Sequence, residues 1–261
     1  MTEFIKINGV GDPGVERFFR ISAARLHPSS FIAESPNVIL RALENGFEPE
    51  ALLCEENLTG EDAATVLERL GDGVTVYAAP PELMSQITGY NLIRGMMCSF
   101  KRPVPVSTED ITASARRVAV LDGVVDAANV GAIFRSAAAL GMDAVLLHES
   151  CDPLNRRSIR SSMGAVFQVP WAVLDGHSSM EALRRLGFKT VAMALRNDSI
   201  CLEDNRLSAE PRLAVVLGNE GHGLPAAEIA AADYVVRIPM AHGVDSLSVT
   251  SAAAIAFWQL R

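Results

Sequence analysis

No apolar run in the 261-residue chain reaches the ~18 residues that a membrane-spanning helix needs. The opening MTEFIKINGV also lacks the positively charged start and continuous apolar stretch of a signal peptide. These absences lead us to expect a cytoplasmic protein with no membrane partner. Cysteine is scarce and scattered: Cys54, Cys98, Cys151 and Cys201 form no CxxC pair, and no histidine stands at zinc-finger spacing. Reduced thiols and no metal site are therefore expected. There is no P-loop sequence, no internal repeat and no low-complexity tract. Positive charge is also short, with 23 Lys plus Arg against 31 Asp plus Glu and a net charge of -8. That balance argues against a protein that coats nucleic acid without specificity, because phosphate binding rests on clustered cations. The deficit is uneven: residues 1–110 carry 9 basic and 16 acidic side chains, residues 111–261 carry 14 and 15. Within the balanced part, Arg156, Arg157 and Arg160 form a compact basic run that suits phosphate. The same run also reads as a solvated helix face.

What the chain has is apolar material, 49% of its residues, enough for a sizeable core and, at this length, for two domains. The segment KRPVPVSTED, residues 101–110, has prolines at alternate positions, which disfavour helix and suit an extended connector. We expect a domain over residues 1–102, a linker over 103–112 and a second domain over 113–261. In the first, SPNVILRALENG (35–46) reads as a helix with Ser35 at the N-cap, Pro36 at the first position and Gly46 at the stop. EALLCEE (50–56) and GVTVYAAP (73–80) read as strands, giving a small α/β unit.

In the second domain, apolar runs at 117–122, 143–149, 167–174, 189–195, 212–218 and 233–240 alternate with helix-like stretches. Continuous apolar strands separated by helices imply a mainly parallel sheet covered on both faces. The final segment, SLSVTSAAAIAFWQL, is apolar almost all round from Ala252 to Trp258, so that helix needs cover on several sides. A partner subunit or the chain itself can supply it.

Three stretches depart from ordinary strand and helix. In LDGVVDAANVGAIFRSAAALG (121–141), Arg135 sits among Ile133, Phe134, Ala137 and Ala138, where a half-buried guanidinium must be paired or face an anion. A salt bridge to Asp122 or Asp126 is the structural alternative. In VVLGNEGHGLP (215–225), three glycines follow a buried strand, as in loops that approach a ligand at the carboxyl ends of parallel strands. The order GxxGxG is not the dinucleotide fingerprint GxGxxG, which speaks against an oxidoreductase. In RIPMAHGVDSLSVTSAAA (237–254), a strand passes through a polar loop into the last helix, where Ser246 reads as a ligand contact or a cap.

Together and in this order, the three stretches resemble the motifs of the SpoU, or TrmH, family of AdoMet-dependent RNA 2'-O-ribose methyltransferases of the SPOUT class. The first motif matches Asn129, Val130, Gly131, Ala132, Ile133, Arg135, Ser136 and Ala137. The second matches Leu217, Gly218, Asn219, Glu220, Gly221, Gly223 and Leu224; the third matches Ile238, Pro239, Met240, Ser246, Leu247 and Val249. The resemblance covers residues 117–261. More faintly, residues 29–56 and 87–103 look like the L30e-like substrate-binding domain found in many members. The resemblance implies a C-terminal domain tied in a trefoil knot, S-adenosyl-L-methionine (AdoMet) as cofactor, an RNA partner with ribosomal RNA ahead of transfer RNA, and a homodimer through the C-terminal domain.

By the same resemblance, Leu217, Gly218, Asn219, Glu220, Gly221, Ile238, Met240, Ser246 and Leu247 are expected to hold AdoMet. Asn129, Arg135 and Ser246 are expected to face the reacting ribose. Arg156, Arg157 and Arg160, with Arg94, Lys101 and Arg102 near the linker, are the candidate RNA contacts. Arginine is too basic to serve as a resting general base, so Arg135 is expected to act as a fixed bidentate cation, with Glu220 and His222 the nearest titratable groups. The family's third motif usually reads SLN, where this chain reads Ser246, Leu247, Ser248. That departure leaves a member that binds AdoMet or RNA without methylating as the alternative.

Overall fold

The computed structural model describes residues 4–19, 29–71, 73–92 and 95–261. They divide into two units, one made by the chain up to Val104 together with Leu154–Phe167, the other by Pro105–Pro153 and Gln168–Arg261.

The first unit runs β1 (Phe4–Lys6), β2 (Ser30–Glu34), α1 (Pro36–Glu44), β3 (Pro49–Glu55), α2 (Glu61–Arg69), β4 (Thr75–Ala79), α3 (Pro81–Thr88) and β5 (Met96–Lys101). Its sheet has the order β1-β4-β3-β5-β2, parallel through β1, β4 and β3, with β5 antiparallel to both of its neighbours. Leu53, Met97, Phe18, Met84 and Ile87 meet in one buried cluster, which is what the apolar strand runs predict. Helix α1 starts at Pro36, whose missing N–H costs nothing in a first turn, and ends before Gly46 at φ 78°. Ser35 occupies the expected N-cap position, yet its side chain caps nothing. Its N–H still donates to Met96 O (3.0 Å), and the backbone turns into the helix at φ 73°, outside the extended region from which a serine normally caps.

The second unit runs α4 (Thr108–Thr112), β6 (Arg117–Asp122), α5 (Ala127–Leu140), β7 (Ala144–His148), then α6 (Arg156–Ser161), β8 (Trp171–Val173), α7 (Ser179–Arg185), β9 (Lys189–Met193), β10 (Ile200–Cys201), α8 (Asn205–Ala209), β11 (Leu213–Leu217), α9 (Ala226–Ala231), β12 (Tyr234–Arg237) and α10 (Val249–Leu260), of which α6 packs in the first unit. Every strand pair in its seven-stranded sheet is parallel, in the order β10-β12-β9-β11-β6-β7-β8. The class is therefore α/β, and β6, β7 and β11 are buried along their whole length. The end of the segment expected to be an extended connector is helical: Ser107 Oγ accepts from Asp110 N (3.1 Å) and starts α4 at Thr108. Among the described residues, no helix is long and apolar enough to cross a membrane.

Residues 154–167 leave the second unit's sequence to pack in the first. Arg156 forms an ion pair with Glu34 and lies 4.0 Å over the Tyr90 ring, whose hydroxyl donates to Glu34 Oε1 (2.6 Å). Arg41 donates to Met163 O (2.7 Å), and the Phe167 ring packs against Phe47 (4.9 Å) and Phe31 (5.6 Å), with Phe100 stacked on Phe31 at 5.4 Å.

Candidate active site

Strands β6 and β11 are neighbours in register, Leu121 beside Leu217, so the loops leaving their carboxyl ends lie side by side. The chain runs from β6 toward β7 and β8 on one side, while β11 and β9 lie on the other. Ligands of open parallel sheets collect at such a reversal. The loop after β11 is a closed turn. Asn219 and Gly223 exchange backbone hydrogen bonds (3.1 and 2.9 Å), and Asn219 Oδ1 accepts from Gly221 N (2.8 Å) and His222 N (3.1 Å). Asn219 Nδ2 donates to Gly123 O (2.8 Å) in the loop after β6. A Cβ on Gly218 would stand 2.5 Å from the Gly223 carbonyl carbon and the Leu224 nitrogen, both backbone, so only glycine fits there.

Glu220 reaches across the same gap. Its Oε1 accepts from Asn129 Nδ2 (3.0 Å) and from Asp126 N (3.3 Å), while Asp126 caps α5 by accepting from Ala128 N (2.7 Å). Residues of the expected first and second motifs, 91 positions apart, are thus joined. Arg135, two turns further along α5, is exposed, where its apolar neighbours suggested partial burial. The expected alternative of a salt bridge does not form: Asp122 is engaged by His148 and Ser179, and no described residue pairs with Arg135. An exposed guanidinium with five donors and no protein acceptor suits an incoming anion.

The third stretch is different. Residues 241–248 are all exposed, among the described residues Ser246 Oγ donates only to Asp245 Oδ1 (3.2 Å), and Leu247 is exposed. Among the described residues, no hydrogen bond joins Ile238, Met240, Ser246 or Leu247 to Asn129, Arg135 or the Gly218–Gly223 turn. The helix cap expected as an option at Ser246 falls on Ser248, whose Oγ accepts from Ser251 N (3.2 Å).

Of the candidate RNA contacts, Arg156 is engaged by Glu34 and Tyr90, Lys101 pairs with Glu48 (3.0 Å), and Arg94 lies outside the described residues. Arg157 and Arg160 are exposed. Arg156 was expected to face phosphate; its aromatic and carboxylate partners come from the first unit, which helix spacing alone does not reveal.

Sequence reasoning missed a buried polar group beside this site. His148 Nδ1 lies 2.9 Å from Asp122 Oδ1 and its Nε2 3.2 Å from Gly176 O. Ser179 Oγ contacts Asp122 Oδ2 (2.6 Å) and Glu228 Oε2 (3.0 Å), and Met180 N donates to Glu228 Oε2 (3.0 Å). Burial opposes the charge on His148, but the hydrogen bond and charge of Asp122 and the Gly176 carbonyl outweigh it and raise its pKa. Burial likewise opposes ionisation of Glu228, yet the Met180 N–H, the Ser178 and Ser179 hydroxyls and the His148 charge hold its pKa below the usual value. The available signal was a polar residue closing each of two apolar strands, Asp122 on β6 and His148 on β7.

Residues 116–258 match the SpoU rRNA Methylase family. The chain belongs to that family. It is 38% identical over 231 residues to an uncharacterized tRNA/rRNA methyltransferase of Mycobacterium bovis, covering 87% of this chain and 79% of that protein. It is 28% identical over 239 residues to the 23S rRNA (guanosine(2553)-2'-O)-methyltransferase of Bacillus subtilis, covering 91% and 90%. An AdoMet-bound rRNA methyltransferase structure from Sinorhizobium meliloti superposes with a TM-score of 0.84 at 25% identity, covering 99% of this chain and 97% of that one. The SpoU match spans the β6 and β11 loops and the whole third stretch, so all three groups of residues described above fall inside it.

Proposed function

We propose that this SpoU-family methyltransferase moves a methyl group from AdoMet to a ribose 2'-hydroxyl of RNA, ribosomal RNA ahead of transfer RNA. The observation that carries this reading is the Glu220–Asn129 bond, which ties the loop after β11 to α5 while Arg135, on the same helix, has no partner among the described residues. The names of the Bacillus subtilis and Sinorhizobium meliloti relatives support the substrate and cofactor.

The tight turn at Gly218, closed against the backbone of Gly223 and Leu224, sets main-chain groups at the carboxyl end of β11, which suits a cofactor held by backbone. Leu217, Gly218, Asn219, Glu220 and Gly221 would hold AdoMet from the β11 side, and Ile238, Met240, Ser246 and Leu247 from the β12 side. Bound there, AdoMet supplies an electrophilic methyl group on a sulfonium. The protein's part is to bring the ribose oxygen into line with it, which accounts for much of the rate in such a displacement. Glu220 fixes the Asn129 amide so that its remaining donor and its carbonyl are directed at the ribose. Arg135 binds the adjoining phosphate and stabilises charge growing on the hydroxyl oxygen. The proton leaves to the phosphate or to solvent.

The reading includes the trefoil knot, and a homodimer formed through α10. Ala253, Ala256, Phe257 and Leu260 face inward, whereas Ile255 and Trp258 are 41% and 58% exposed and offer an apolar face to a second copy. RNA contact is assigned to the exposed Arg157 and Arg160. Calorimetric titration with AdoMet, followed by transfer of labelled methyl to unmodified ribosomal RNA and nuclease mapping of the product, tests the reading. Label that is found on a base rather than on a ribose refutes the 2'-hydroxyl assignment, and AdoMet binding without transfer favours a non-catalytic homologue.

A further inference from the structure

The buried group beside the β6 loop has a hydrogen-bond arrangement that a neutral histidine cannot satisfy while Asp122 is ionised. A neutral imidazole carries one N–H and one lone pair, yet both ring nitrogens of His148 face oxygens that only accept, the Asp122 carboxylate and the Gly176 carbonyl. His148 and Asp122 are each 5% exposed, so the ring side of a mismatched contact has little access to water. Doubly protonated, His148 donates to both.

The same residue is wired to the turn through its main chain. His148 O accepts from Gly123 N (2.9 Å), and Gly123 O in turn accepts from Asn219 Nδ2 (2.8 Å), the side chain that closes the Gly218–Gly223 turn. Ser150 Oγ, two residues on, contacts Leu121 O (2.9 Å) and His148 O (3.0 Å) and receives Val124 N (2.9 Å). Residues 121–124 are therefore clamped from the end of β7.

We propose that His148 is a positioning residue for the AdoMet site: as an imidazolium bridging Asp122 and Gly176, it fixes the end of β6, and with it the Gly123 carbonyl on which Asn219 hangs. The inference rests on the reading of the turn as the AdoMet site. The charged groups facing His148 are Asp122 on β6, Glu149 next in the chain and Glu228 on α9, with Ser179 at the start of α7 bridging the two buried carboxylates. All three are acidic and favour the imidazolium; the cation on a neighbouring element is Arg185 of α7, whose guanidinium would stand 3.7 Å from a Cβ on Gly176. Deprotonation turns one N–H into a lone pair aimed at an oxygen, which loosens the clamp. AdoMet affinity falls as the ring loses its proton.

By reciprocal linkage, AdoMet binding must then raise the titration midpoint of His148. The test is ring nitrogen-15 NMR of the full-length wild-type protein from pH 5.5 to 9, with and without AdoMet, alongside calorimetric AdoMet affinity for wild type and His148→Gln. The expected result is both ring nitrogens protonated at pH 6.5, a midpoint about one unit higher with AdoMet, and a matching ~tenfold loss of wild-type affinity toward high pH. The Gln variant loses that component of the slope. Any pH dependence from the AdoMet amino group is common to both proteins and cancels in the comparison. A neutral tautomer at pH 6.5, a midpoint unmoved by AdoMet, or equal slopes in wild type and variant overturns the inference alone. Failure of wild type to bind AdoMet at any pH overturns the AdoMet reading and the inference with it. The wild-type NMR arm stands even if the variant does not fold.

Discussion

Two loops of the second unit leave parallel strands in the same direction and end in opposite states. The turn after β11 is closed on itself, with the Asn219 side chain making three hydrogen bonds and Gly218 packed against the backbone of Gly223 and Leu224. The loop after β12 runs through eight consecutive exposed residues, 241–248, before Ser248 starts α10. The first is pre-organised, so binding to it forfeits little conformational entropy. The second must be ordered by whatever it contacts. In the proposed reading, the closed turn holds the cofactor and the open loop completes the pocket.

The largest effect should come from removing the chemistry while sparing the turn. Arg135→Ala should lower methyl transfer by about 100- to 1000-fold, the usual effect of deleting a donor to developing charge, with AdoMet affinity unchanged in calorimetry. Arg135→Lys should keep part of the activity; full retention would show that a point charge suffices and remove the bidentate role. Next in size is breaking the closed turn itself. Gly218→Ala forces backbone apart and should weaken AdoMet binding by about 10- to 100-fold in the same titration. A variant binding like wild type would mean the turn does not touch the cofactor.

A smaller change follows from pH. His148 has a raised pKa in the folded protein, so its contribution to stability is complete below the unfolded value of about 6.5 and is lost as pH rises through the folded value. Glu228 is depressed, so its contribution is present above about 4.3 and is lost as pH falls through its folded value. The second unit's melting temperature, followed by calorimetry, should therefore be highest in the window between them. In His148→Gln the alkaline decline should flatten. The smallest effect belongs to the open loop. Asn and Ser cap helices about equally well, so Ser248→Asn should shift stability by only a few tenths of a kcal/mol. Any larger gain in methyl transfer by that variant would then report a substrate contact rather than a better cap.

Much of the architecture was legible from local pattern. The strand run expected at 117–122 is β6 residue for residue, and those at 189–195, 212–218 and 233–240 contain β9, β11 and β12. Fully buried parallel strands show themselves as unbroken apolar runs because both faces are covered. The short β10 and the antiparallel β5 carried no such signal, and the run at 167–174 yields only the three-residue β8, with Phe167 in the aromatic cluster of the first unit.

Local composition set where buried strands stop and where backbone must turn: glycines at 218, 221 and 223 and an arginine among apolar neighbours marked the region. Tertiary structure decided which of those groups meet. Asn129 and Glu220 are 91 residues apart and bond because β6 and β11 are adjacent in the sheet. Arg135 stays free while Arg156, equally promising as a cation, is captured by Glu34, 122 residues away. A charged side chain does not encode its partner locally. The fold places a carboxylate beside one guanidinium and leaves the other exposed, and that placement separates the structural arginine from the one proposed to act on RNA.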